Sequence, residues 1–104
     1  MNLQPAIIDA AIAGGVKHFY PSEWGTDLSQ PEIAEERYFR DKQTTRAHLV
    51  SAAKQHPDFK YTLMLNAQFT ESIISSFFGF DNEKNELAVY GDPNARVGCT
   101  ALPE

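Results

Sequence analysis

Two glycines, Gly14 and Gly15, stop one kind of structure, and the run after them, Val16 to Tyr20, starts another before Pro21 closes it. Ahead of the glycines, Pro5 suits a first helical turn and Ile8, Ala11 and Ile12 recur at helical spacing, which predicts a helix from about Gln4 to Ala13. Val16-Lys17-His18-Phe19-Tyr20 is rich in β-formers and reads as a strand feeding a polar loop, Ser22 to Gln30. Pro31 opens a second helical stretch, expected over Glu32 to Gln55. Its early glutamates suit the positive end of the helix dipole, and Pro57 lies just past its end. Ile33, Phe39, Leu49, Val50 and Ala53 fall near one side of that helix, with Asp41, Gln43 and Lys54 on the other. Phe59 to Asn66 is too short for a helix and apolar at its centre, as a strand buried on both faces of a parallel sheet would be. Helix, strand, helix and strand in that order predict an α/β chain with a doubly wound parallel sheet, Val16–Tyr20 and Tyr61–Leu65 being parallel neighbours.

Beyond residue 69 the pattern changes. Thr70 is expected to cap a short helix carrying Ile73, Ile74, Phe77 and Phe78, followed by a polar loop from Asp81 to Glu86. Leu87 to Tyr90 and Arg96 to Ala101 read as two strands of a β-hairpin joined by Gly91-Asp92-Pro93-Asn94.

Composition narrows the function. Within 104 residues, 14 Asp+Glu against nine Lys+Arg leave a net charge of -5, which repels a phosphate backbone and argues against nucleic acid. No apolar stretch approaches the length of a membrane span, and one cysteine, Cys99, forms no internal disulfide, so a cytoplasmic setting is expected. His18, His48 and His56 lack metal-ligand spacing, and no metal site is expected. Trp24 and Phe77-Phe78-Gly79-Phe80 read either as core or as the lining of an aromatic substrate pocket. No glycine-rich phosphate turn occurs.

Tyr38 and Lys42 stand four residues apart, which on a helix puts both on one face. An ammonium beside a phenol favours the phenolate, so the pair can exchange a proton with a carbonyl or alcohol oxygen, and Lys can itself be the base. Ser22 follows the first strand, at the sheet edge where open α/β folds bind ligands, and would join them. The same residues also suit a turn cap and a solvated helix face, and spacing alone does not choose.

Gly15-Val16-Lys17-His18-Phe19-Tyr20-Pro21-Ser22-Glu23-Trp24-Gly25 resembles a characteristic segment of the NmrA-like family. That family includes isoflavone reductase-like and phenylcoumaran benzylic ether reductase-like proteins, atypical relatives of the short-chain dehydrogenases. The resemblance continues through Lys42-x-x-x-Arg46, Tyr61-Thr62 to Asn66, Phe69, and Gly91-Asp92-Pro93-Asn94, where Pro93 departs from the family's glycine. It implies that Lys42 serves as general base and contacts the nicotinamide ribose, with Ser22 in the bordering loop; Tyr38 completes the Tyr-x-x-x-Lys of ordinary short-chain dehydrogenases, which many reductases of this branch lack. It also implies that Pro21, Ser22, Glu23 and Lys42 border a bound NADP or NAD, with NADP favoured. Trp24, Gly25, Asn66 and Phe69 would face a small aromatic substrate. The chain would then hold the second half of a Rossmann-like sheet to about residue 69 and the start of a substrate-binding region from about residue 70. The family's glycine-rich cofactor unit is missing. On that reading the chain alone binds NAD(P)H feebly and its open sheet edge favours self-association. The family's regulatory branch implies an alternative, a dinucleotide-binding redox sensor that acts through a protein partner.

Overall fold

The computed structural model describes residues 2–102, which divide into two compact units, one ending at Leu65 and the other beginning at Asn66.

In the first unit, α1 (Gln4–Ala13) has Pro5 in its first turn and ends on the glycine pair. Gly15 takes φ +79°, and the Val16 and Gly15 amides return to the Ala11 and Ile12 carbonyls at 2.9 and 3.0 Å. This is a Schellman closure, and the left-handed residue in it is best filled by glycine. The chain then enters β1 (His18–Phe19), which pairs in parallel with β2 (Lys60–Tyr61), His18 opposite Lys60 and Phe19 opposite Tyr61. The ladder is short: the Lys60 amide donates to the Lys17 carbonyl and the Thr62 amide to the Phe19 carbonyl. Residues 63–66 of the expected Phe59–Asn66 strand carry no ladder, because β2 has only β1 to bond with among the described residues.

The single helix expected over Glu32 to Gln55 is in fact three pieces: α2 (Pro31–Ala34), a 3₁₀ turn at Arg37–Phe39, and α3 (Arg40–Gln55). Glu36 is extended at φ -60°, ψ 129°. The break has a physical cause, since a helix propagates on tertiary packing and Glu35-Glu36-Arg37 is exposed and offers no apolar side chain to bury. On α3 the buried stripe is Thr45, Leu49 and Ala52, whereas Val50, expected on the packing side, is exposed. Thr45 is tolerated inside because its hydroxyl donates to the Asp41 carbonyl at 2.9 Å and accepts from the Asn2 amide at 3.1 Å. Ile8, Leu49, Ala52 and Phe59 form the core, flanked by Ile12, Phe19, Ala53, Tyr61 and Leu63. Each fully buried Ile or Leu contributes about 1.5–3 kcal/mol. On the surface Asp9 of α1 and His48 of α3 lie 2.6 Å apart.

In the second unit, β3 (Gln68–Phe69) pairs in parallel with β6 (Cys99–Thr100), and Phe69 rather than Thr70 is the cap of α4 (Thr70–Ile73). A 3₁₀ turn at Ser76–Phe78 leads to β4 (Phe80–Asp81), which pairs antiparallel with β5 (Glu86–Leu87). The hairpin therefore lies at residues 80–87, where a solvated loop was expected, and not between Leu87–Tyr90 and Arg96–Ala101. The Asp81 carboxylate decides this. It accepts the Glu83 and Lys84 amides at 3.1 and 3.0 Å, lies 3.0 Å from the Lys84 ammonium, and folds the chain back with Asn85 at φ 54°. Asp92 closes its own local turn by accepting the Asn94 amide at 2.9 Å, but residues 88–98 around it, including Tyr90 and Val97, are exposed and form no strand, and Cys99–Thr100 pairs with β3 instead of with Leu87–Tyr90.

Candidate functional site

Lys42, Gln43 and Arg46 project from the first two turns of α3 onto the loop that leaves β1, residues 21–28. The loop begins with buried Pro21, whose carbonyl accepts the Glu23 amide at 2.8 Å, a turn tight enough to drive the Glu23 side chain inward. Gln4 of α1 braces it by accepting the Ser22 amide at 3.0 Å. The Glu23 carboxylate is 1% exposed, and both its oxygens are held by one guanidinium, Arg46 Nε to Oε1 at 3.0 Å and Nη2 to Oε2 at 2.8 Å. This two-pronged geometry matches a planar fork to a planar acceptor. Glu23's hydrogen bonds in turn hold the Arg46 guanidinium further above its already high ordinary pKa.

The backbone of the same glutamate faces Lys42, whose ammonium donates to the Glu23 carbonyl. Gly25 allows that approach: a Cβ there would stand 3.3 Å from the Glu23 carbonyl oxygen and 3.5 Å from Lys42 Nζ. Between them Trp24 sits at φ 33°, which is strained for a residue with a side chain. Downstream, the Leu28 carbonyl accepts from Gln43 Nε2 at 3.4 Å, and Leu28 is buried. Ser29 donates its amide and then its hydroxyl to Asp27, which holds that carboxyl below its ordinary range.

The residues singled out from sequence are placed unevenly. Lys42, Glu23, Pro21 and Gly25 come together, and Trp24 lies beside them, about half exposed. Ser22 is exposed, and among the described residues its hydroxyl has no partner. Tyr38 precedes α3, is 86% exposed and packs edge-on against Phe39 at 5.0 Å; no hydrogen bond joins it to Lys42 among the described residues. Asn66 and Phe69 belong to the second unit, where the Asn66 carbonyl accepts from the Thr100 hydroxyl at 2.7 Å and Phe69 lies opposite Thr100. Glu23, expected to border a cofactor, has its carboxylate committed to Arg46. Gln43, expected on the solvated side, holds the loop. The available sign was the spacing of Lys42, Gln43 and Arg46, which puts all three on adjoining turns facing whatever packs there.

Chemically, the site offers an ammonium with three N–H groups, one of them used on Glu23. The remaining two point the site toward hydroxyl or carbonyl oxygens of a ligand. A cleft of about 240 Å³ in the first unit, lined by Ile12, Gly15, Lys17, His56, Pro57 and Phe59, opens at the start of β1 and β2, away from Lys42. No cluster able to hold a metal ion occurs among the described residues, nor does a helix long and apolar enough to cross a membrane.

Over 99 residues the chain is 27% identical to a protein named Oxidoreductase aprR from Aspergillus flavus, a match covering 93% of this chain. The chain spans about a third of that relative's length, 33% of it. No protein-family model matches the chain. No solved structure matches it.

Proposed function

We propose that this chain is the central part of an NmrA-like, isoflavone reductase-like oxidoreductase that uses NADPH or NADH on a small aromatic substrate, within a doubly wound α/β fold. The observation that carries the reading is Lys42, held by the Glu23 carbonyl just past the C-terminal end of β1, the sheet edge where open α/β folds place ligands. Similarity to a fungal protein named as an oxidoreductase supports the same direction.

The residues fit a nicotinamide dinucleotide. Lys42 has two N–H groups left for ribose hydroxyls and Ser22 has an unused hydroxyl, while the acidic charge of Glu23, which would repel phosphate, is buried and neutralised by Arg46. The dinucleotide, when bound, supplies the hydride. Lys42 Nζ then holds or moves the proton at the substrate oxygen, anchored from α3 to the Glu23 carbonyl next to the strained turn at Trp24. The alternative is a redox sensor that binds the same dinucleotide and acts through a protein partner; the exposed Tyr38 leaves Lys42 as the base on the reductase reading.

Lys42→Ala in the complete protein separates the two. On the reductase reading turnover with NADPH falls by about 10²–10⁴-fold while dinucleotide affinity, measured by fluorescence titration, changes far less. A protein that binds dinucleotide yet turns over no carbonyl, enone or benzylic ether selects the sensor. Retained turnover in Lys42→Ala removes Lys42 from proton transfer.

A further inference from the structure

We infer that Glu23 and Arg46 are positioning residues for Lys42, a buried latch that acts through the backbone carbonyl between them and touches no ligand itself. Three observations converge on it. The Glu23 carboxylate is 1% exposed and each of its oxygens accepts from Arg46, so burial keeps a ligand from reaching it. Glu23's own carbonyl accepts from the Lys42 ammonium, so side chain and backbone of one residue are gripped by two side chains one helical turn apart. Residues on either side confirm how tightly the peptide is aimed: Glu23 donates its amide to Pro21 at 2.8 Å, and Trp24 is driven to φ 33°.

The physical logic follows from helix geometry. Lys42 and Arg46 share a face of α3, so fixing Arg46 to Glu23 fixes the register of the loop against the helix. The carbonyl then lies over Lys42, and a flexible four-carbon stem that would otherwise sample solvent is held in one place. Without the fork the loop would be free to turn its carbonyl away.

The test reads Lys42 directly and depends on the proposed function only for its effect on turnover. The full chain is acetylated under native conditions with limiting acetic anhydride, and the rate at each lysine is followed by mass spectrometry, with the exposed Lys54 and Lys60 as internal references. Lys42 is expected to react about tenfold or more slowly than the references, the factor that a hydrogen bond to a charged group supports. Glu23→Gln and Arg46→Lys should raise its rate toward theirs, Arg46→Lys by less because it keeps the charge and loses only the fork. Asp27→Asn, in the same loop but outside the pair, should leave it unchanged.

Circular dichroism follows the helices in each variant. Lys42 labelled like Lys54 and Lys60 in the unaltered chain overturns the proposal, as does Lys42 staying protected in folded Glu23→Gln and Arg46→Lys. Should Glu23→Gln not fold, Arg46→Lys decides alone, and loss of helix there too assigns the pair to folding only and overturns the proposal. In the complete protein the same variants should lower kcat with little change in KM for the dinucleotide. Unaltered protein without turnover would defeat the reductase reading and leave the labelling result standing; unchanged labelling would defeat the latch and leave the reductase standing.

Discussion

Replacing Arg46 by Met keeps much of the apolar stem and removes the guanidinium, leaving the Glu23 carboxylate 1% exposed with no partner for either oxygen. Breaking a buried ion pair from one side costs about 3–5 kcal/mol, because the remaining charge is stranded away from water. The reverse change, Glu23→Gln, should cost less, since Arg46 is 16% exposed and can turn its charge toward solvent. Lys17 and Asp58 supply the contrast. Their pair is 3.4 Å apart at 71% and 86% exposure, and Lys17→Met should cost no more than about 1 kcal/mol. Urea denaturation of the full chain, followed by circular dichroism, measures both. With a slope of about 1–3 kcal/mol per molar urea, Arg46→Met should lower the midpoint by at least about 1 M or abolish folding. Adding Glu23→Gln to Arg46→Met removes the stranded charge and should restore part of the loss. The reasoning is refuted if Arg46→Met costs no more than Lys17→Met, or if the double variant is less stable than Arg46→Met alone.

Gly15→Ala isolates backbone strain, because a Cβ at Gly15 meets nothing within 4 Å while φ is +79°. It should cost about 1–2 kcal/mol by urea denaturation, and an unchanged midpoint would mean that the turn after α1 relaxes freely. In the second unit, the Lys84 amide and ammonium, then the Glu83 amide, hold the Asp81 carboxyl below its ordinary 3.8. A lowered folded value means that the stabilisation is full above 3.8 and is lost as pH falls through the lowered value. Carboxyl carbon NMR of Asp81 should give a midpoint below that of an unstructured peptide; equal midpoints would remove the turn at 81–85 from the hairpin's support.

Local signals explain what was readable from the sequence. The limits of α1 follow from Pro5 in its first turn and from Gly15, a residue able to adopt positive φ, and both act within a few neighbours of the helix end. The parallel neighbours β1 and β2 follow from two β-rich runs with helical sequence between them. Even the meeting of Lys42 with the loop at 21–25 was foreshadowed, since that loop leaves β1 toward the start of the intervening helix. Tertiary structure decided the rest, because the deciding contacts join residues far apart in the chain. The helix at 31–55 breaks at Glu36 because packing reaches Leu49 and Ala52 but not Glu35-Glu36-Arg37. The hairpin closes at Asp81, between residues 80 and 87, and not at Gly91-Asp92-Pro93-Asn94, which advertised one, since a turn signal forms a ladder only if its flanks find each other. Glu23 carries no mark of burial in its own neighbourhood. Only when α3 sets Arg46, 23 residues later in the chain, against the loop does its carboxylate acquire the cation that lets it leave water.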